Sequence, residues 1–275
     1  MRTRRSGRAP AALLVVAILA APLFPTHVVP CAALADPAPA PTATTPRDGE
    51  YYFGQLRASI VEVVADHQAL INRTPTGTVK DPALMPRAYA DQAAGVFAGL
   101  VGSGFDPAGL GRDPAAIARA LGTLLQAGRI TTARLQTAIN TEPDGTVVLK
   151  KFVPAAFGRL VAENFRRRTG VTIKQTTLGR GAYGPRNEFN APDAWERGAL
   201  RVIEANAGDA PAAFGEQVGA DYRLVNPITI QEACLVCHGE PAGSPGPYGH
   251  PREGYRVGEI RGGISLTLPL AATTP

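Results

Sequence analysis

The chain has 275 residues, 28 Lys and Arg against 23 Asp and Glu, and a formal net charge of +5. Four of the basic residues, Arg2, Arg4, Arg5 and Arg8, fall within the first 35 positions, where no acidic residue occurs. Without them the 28 drop to 24 against 23, so the high isoelectric point is no nucleic-acid footprint, and three cysteines are too few for a disulfide framework.

Residues 1–35 read as an export signal. The arginines form a positive n-region, residues 11–24 are an apolar run too short to span a bilayer comfortably, and Ala33-Leu34-Ala35 is a small-x-small cleavage pattern. Arg4-Arg5 lacks the fuller twin-arginine pattern, which implies export as an unfolded chain. Val28-Val29-Pro30 before Cys31 is a poor lipoprotein signal, and without cleavage the segment would serve as a membrane anchor. Residues 36–47 form a Pro/Ala-rich spacer that cannot bury a core and is expected to be disordered. Residues 48–272 are then expected to form a single soluble domain in the periplasm, with no integral membrane segment and no nucleic-acid partner.

Phe53, Leu56, Ile60, Val63, His67 and Ile71 recur at steps of three or four and predict a helix over residues 51–72 with one apolar stripe. A loop over 74–86 carries Met85. Helices are predicted over 89–101, 114–127 and 131–140, with Asp113 as N-cap before Pro114. The turn Glu142-Pro143-Asp144-Gly145 leads into a predicted strand over 146–150, and a further helix spans 154–168 and ends at Gly170. Strands are predicted over 171–178, 221–228 and 259–268, with a helix over 193–206 between the first two. Alternation of Ile264, Leu266 and Leu268 suggests one buried and one more polar face. Helices first and strands later argue for an α+β fold with the helices on one side of an antiparallel sheet.

Near the C-terminal end, Cys234-Leu235-Val236-Cys237-His238 reads C-x-x-C-H, the attachment signature of a c-type haem. Two thiols one turn apart can add to the two vinyl groups on one porphyrin edge, and the next residue, His238, then lies beneath the iron as proximal ligand. Other readings of the motif are half of a zinc site, a redox C-x-x-C and a local disulfide. No second Cys or His pair follows at ligand spacing, the motif does not open a helix early in a βαβ unit, and a disulfide leaves His238 unexplained. The expected cofactor is one covalent haem c.

Gly179-Arg180-Gly181-Ala182-Tyr183-Gly184 matches G-x-G-x-x-G after a predicted strand, but Pro185 and a polar loop follow where a dinucleotide site needs a helix. A loop is expected there. A small electron-transfer cytochrome would need a methionine downstream of the motif, and none follows His238. A four-helix haem bundle would place the motif on its last helix, whereas residues 240–254 are rich in Gly and Pro.

Asn190-Ala191-Pro192-Asp193-Ala194-Trp195-Glu196, Asn226-Pro227-Ile228, the C-x-x-C-H motif and the run from Gly254 through Arg261-Gly262-Gly263 to Ser265 occur in this order. Together they resemble the bacterial c-type haem domain with a PAS-like fold, most strongly over 154–270 and more loosely over 50–140. The resemblance implies a helical N-terminal part packed on an antiparallel sheet, one covalent haem, and a redox- or ligand-sensing role. Relatives are fused to kinase or chemoreceptor modules; here the chain ends soon after its last predicted strand, so output is expected through a redox partner or a membrane-bound signalling protein. A described family member uses a cysteine as second axial ligand, and residues 36–275 hold no cysteine beyond Cys234 and Cys237.

The remaining donors for the sixth position are His67, Met85 and His250. His67, on a predicted apolar stripe, is the candidate distal ligand, and the alternative is a vacant position. Trp195 is read as a core or haem-wall aromatic, on a helix whose first turn holds Pro192, and Arg186 and Arg261 as possible partners of haem propionates. The expected function is a redox- or small-ligand-sensing module rather than an enzyme. A periplasmic electron-transfer cytochrome is the alternative, and a peroxidase-like enzyme, which needs a distal polar pair, ranks third.

Overall fold

The computed structural model describes residues 48–208 and 211–270. The expected signal, the spacer up to residue 47 and Cys31 lie outside the described residues.

Aspartates and prolines set the helix starts. Asp48 accepts a hydrogen bond from the Tyr51 amide at the head of α1 (Gly49–Asp66), and Asp113 accepts from Ala115 at the head of α4 (Pro114–Arg134). Proline occupies the first turn of α3 (Pro86–Val101), α4 and α6 (Pro154–Thr169), where its missing N–H would have had no partner. The helix expected over 51–72 breaks at His67, the junction between α1 and the single turn α2 (Gln68–Ile71). The two helices expected between 114 and 140 are one long α4 followed by the short α5 (Gln136–Asn140). Gly128 runs inside α4 because a side chain there would meet the Phe157 ring at 2.8 Å; it lets α6 close on α4 rather than ending a helix.

The strand expected over 146–150 does not form. Its only ladder contact is a bridge between Thr141 and Val147, and Val147 is 67% exposed. Alternating apolar residues need a neighbouring strand, and here the backbone instead bonds Asn140.

Four strands, β1 (Thr172–Thr176), β2 (Phe214–Val218), β3 (Asp221–Thr229) and β4 (Ile260–Pro269), form an antiparallel sheet in the order β1-β4-β3-β2. The fold is α+β, with N-terminal helices packed on the sheet. One face meets α4 and α6 around Leu121, Phe165, Ile173, Leu224, Ile264 and Leu266. Full burial of a leucine of this kind contributes roughly 1.5–3 kcal/mol. The opposite face is also covered: α7 (Ala194–Ala205) lays Ala199, Leu200 and Ile203 on Val225. Helices therefore lie on both faces, and Ser265 between Ile264 and Leu266 is as buried as they are. The capping box of α7 joins Asp193 and Glu196, so Pro192 precedes the cap instead of occupying the first turn.

Two local features shape the end of the sheet that carries the C-x-x-C-H segment. The β3–β4 register shifts between Ile228 and Thr229, and an irregularity of this kind ends regular pairing just before that segment. Gly262 has φ +147°, and a Cβ there would sit 2.2 Å from the Thr176 carbonyl oxygen. Gly262→Ala is therefore expected to lower stability by at least about 1–3 kcal/mol. Gly54→Ala, on an open face of α1, is expected to be neutral or stabilising by up to roughly 1 kcal/mol. Urea unfolding of both variants checks the contrast.

Candidate functional site

After the register shift, Ile230 still exchanges backbone hydrogen bonds with Gly258 and Glu259. The chain then makes a 3₁₀ turn over Glu232–Cys234 and passes directly into the single turn α8 (Leu235–His238). C-x-x-C-H therefore lies on two successive helical turns, which gathers Cys234, Cys237 and His238. Both thiols are free and half-buried. Burial pushes the Cys237 thiol up, against the pull of Arg186 and Arg252. Val236, between the cysteines, is 58% exposed, so the turn lies at the surface.

A loop over 240–259 wraps the turn. Tyr255 donates its amide to the His238 carbonyl at 2.8 Å, and Arg252 reaches the Val236 carbonyl at 3.0 Å. From this loop Glu253 turns inward, its side chain only 2% exposed, and its Oε2 lies 2.8 Å from Nδ1 of His238. Arg186 grips the same carboxylate through Nε (2.9 Å) and an η-nitrogen (2.7 Å), and also donates to the carbonyls of Cys237 and Pro251. Arg261, on β4, adds a bond to Glu253 at 3.2 Å and one to the Thr177 hydroxyl at 2.7 Å.

Burial alone would push the Glu253 carboxyl up, but the His238 hydrogen bond, the charge of Arg261 and the Arg186 hydrogen bond overcome it and hold the group at about 2. Burial pushes His238 down, and both arginines act the same way against the pull of Glu253. The imidazole is therefore neutral. Nδ1 faces the Glu253 carboxylate at 2.8 Å, which can only accept, and Arg261 Nε at 3.5 Å; the shorter, anionic contact puts the proton on Nδ1, and Nε2 makes no hydrogen bond among the described residues. A neutral ring anchored at Nδ1 with Nε2 open is the arrangement of a metal-ligating histidine.

Arg129, on α4, has no ion pair among the described residues. Its Nε is enclosed without a hydrogen-bond partner among the described residues, while one of its η-nitrogens donates to Gln126. Burial lowers this guanidinium to about 10, with Cys234 opposing and Arg261 adding to the effect, which places Arg129 within electrostatic reach of both.

Arg186 and Arg261, expected as propionate partners, are engaged by Glu253 instead. His67 donates Nδ1–H to the Val63 carbonyl at 2.7 Å and packs on Phe152 with ring centroids 5.2 Å apart. The sulfur of Met85 accepts from Asn72, and His250 is exposed. No hydrogen bond or ring contact joins any of the three to the motif among the described residues. Trp195 is half-buried at the edge of the apolar cluster of Ala199, Leu200, Ile203 and Val225, against Phe214 and under Arg223, and donates to Glu216. The glycine-rich stretch is a turn closed by backbone bonds between Arg180 and Tyr183, as expected for a loop. Sequence reasoning missed Glu253 and Arg129. Arg129 left one signal, a charge four residues after Leu125 on the buried side of α4.

The family model described as Tll0287-like matches residues 113–269, from α4 through β4. The chain belongs to the Tll0287-like family. The matched region contains Arg129, Arg186, the C-x-x-C-H motif, Glu253 and Arg261, and leaves out α1 to α3. Among solved structures, the cyanobacterial heme-protein Tll0287 is similar at 24% identity and a TM-score of 0.44, over 58% of this chain and 98% of that one. No curated protein matches.

Two outcomes follow for the protein without cofactor. The unfolded chain binds a proton at Glu253 near the ordinary value of 4.5, the folded chain only near 2. Between these values the unfolded state holds more protons, so the stabilisation is complete above pH 4.5 and is lost as pH falls towards 2. Urea midpoints taken down this window should fall less steeply for Glu253→Gln than for wild type. Arg129→Met, which removes an enclosed donor that lacks a partner, is expected to raise stability by about 1–3 kcal/mol in the same assay.

Proposed function

We propose that this is an exported, periplasmic protein that holds one haem covalently and serves as a redox- or small-ligand-sensing module. The observation that carries the reading is His238, neutral, anchored at Nδ1 and open at Nε2, one turn from two free thiols. Membership of the family that includes a heme-protein supports it.

Cys234 and Cys237 would hold the group, each thiol adding across one vinyl so that sulfur bonds to one carbon and hydrogen to the other. His238 would supply the proximal nitrogen. Arg129 fits a propionate, because its enclosed Nε lacks an acceptor and a carboxylate is the natural partner of a guanidinium. The group, when bound, supplies one-electron chemistry and an axial position for a small ligand. Around it, the chain's own residues orient the imidazole and tie it to two distant segments. Arg186 comes from the loop after β1 and Arg261 from β4, so a displacement of His238 would act on both through Glu253. That linkage favours sensing. An electron carrier is the second reading, favoured by the surface position of the turn around Val236. The expected export signal is consistent with attachment after translocation, when the chain reaches a cytochrome maturation system unfolded.

No described helix is long and apolar enough to cross a membrane. Co-expressed with a cytochrome c maturation system, the denatured protein is expected to retain haem staining at its own mass on a gel. Cys234→Ala with Cys237→Ala should abolish it. An unstained wild-type band from fully matured protein would overturn the reading. Stable CO or NO binding accompanied by a conformational change supports the sensor, and rapid reduction by a periplasmic donor without such a change supports the carrier.

A further inference from the structure

We infer that Glu253 is the positioning residue of His238, setting the tautomer, the ring plane and the donor strength with which Nε2 meets the metal. The inference rests on the haem reading above and adds to it a residue outside C-x-x-C-H.

Three observations carry it. The contact is direct, 2.8 Å from Glu253 Oε2 to Nδ1, and it comes from a carboxylate rather than a backbone carbonyl. The carboxylate is itself immobilised: three further donor contacts fall on it, two from Arg186 and one from Arg261, and the side chain is 2% exposed. The third is the direction of approach. Glu253 reaches Nδ1 from a loop fifteen residues beyond the histidine, so the ring is held against rotation by a part of the chain that the motif does not contain.

A hydrogen bond from Nδ1–H to an anion moves negative charge into the imidazole and makes Nε2 a stronger donor. A stronger donor stabilises the ferric over the ferrous state. The two arginines have opposite effects on two properties. They fix the carboxylate in place, and by sharing its charge they limit how much reaches the ring.

The test uses the matured, haem-loaded protein and the variants Glu253→Gln and Glu253→Asp. Gln keeps the shape and an acceptor but removes the charge; Asp keeps the charge for the arginines but withdraws the carboxylate by one methylene. Both should stain for haem on a denaturing gel as wild type does. The midpoint potential should move to a more positive value in Glu253→Gln and by a smaller amount in Glu253→Asp. A purely structural role, anchoring the 240–259 loop, would lower the melting temperature and leave the potential where it was; that result overturns the inference. An unstained wild-type protein overturns the haem reading itself, and with it this one, so the two failures are distinguishable. Where neither variant accumulates, ¹⁵N-histidine spectra of the full-length wild-type chain without haem decide. A proton on Nδ1 of His238 supports the inference, and a proton on Nε2 sinks it.

Discussion

A carboxylate enclosed by protein is destabilising unless cations and hydrogen-bond donors surround it, and Glu253 gathers both around itself. Its partners lie on α8, on the loop after β1 and on β4, three segments far apart in the chain. Removing the carboxylate would leave Arg186 and Arg261 beside each other and His238 without the negative charge they share. Breaking a buried pair in this way is costly, typically about 3–5 kcal/mol, whereas keeping it contributes little net stability. The group is therefore better understood as fixing one geometry than as holding the fold together. The stability resides in the apolar core between α1, α4, α6 and the sheet.

That core explains why the site lies where it does. Helix α4 packs on β3 and β4 and reaches the turn that opens the C-x-x-C-H segment. Asn226 bonds Thr123 across the interface at 3.1 Å, which fixes β3 against the helix just before the register shift. Pro227 is tolerated in β3 because at that position the strand pairs only with β4; the ladder to β2 stops at Val225. The shift at Ile228/Thr229 then frees the chain to turn. Gly262 serves the same end from the neighbouring strand, allowing β1 to approach β4 where a side chain would collide with Thr176. The Asn226-Pro227-Ile228 and Arg261-Gly262-Gly263 signatures are thus backbone devices that end the sheet and aim the following segment.

How much of this was legible in the sequence follows from the range of the interactions involved. The start of α4 at Asp113-Pro114 and the end of α6 at Gly170 were readable because both signals act within one turn of themselves. The attachment motif was readable because its spacing is local. The boundary inside α4 was misread because Gly128 looks like a breaker until Phe157, twenty-nine residues on, is placed against it. Strand β2 was missed since Phe214-Gly215-Glu216-Gln217-Val218 has little apolar alternation; its pairing with β3 through a two-residue turn supplies what its composition lacks. Residues 146–150 are the reverse case, with the composition of a strand and no partner. Glu253 was invisible because nothing in its Gly- and Pro-rich loop distinguishes it from Glu240 and Glu259. Only the fold shows that Arg186 and Arg261 converge on it, and this also reassigns those two arginines.

The position of the motif raises a question that the carboxylate answers. Val236 is exposed and the helical turn is only four residues long, too short to be held by its own hydrogen bonds. Such a turn would fray, and a histidine at its last position would rotate with it. The 240–259 loop prevents this from both directions. Its Tyr255 amide and Arg252 side chain clamp the turn, and its Glu253 side chain clamps the ring. Tyr255 is in turn flanked by Arg180 and Arg261, with guanidinium carbons 4.7 and 5.3 Å from the ring centroid. Arg261 thus touches the ring of one clamp and the carboxylate of the other. A change in charge at a metal bound to Nε2 would pass first to Glu253, then to Arg261, and so to β4 and the Thr177 hydroxyl at the end of β1. The path from the surface turn to the near end of the sheet is three residues long. Were a metal held at Nε2, its charge would act on the ends of β1 and β4 through these contacts.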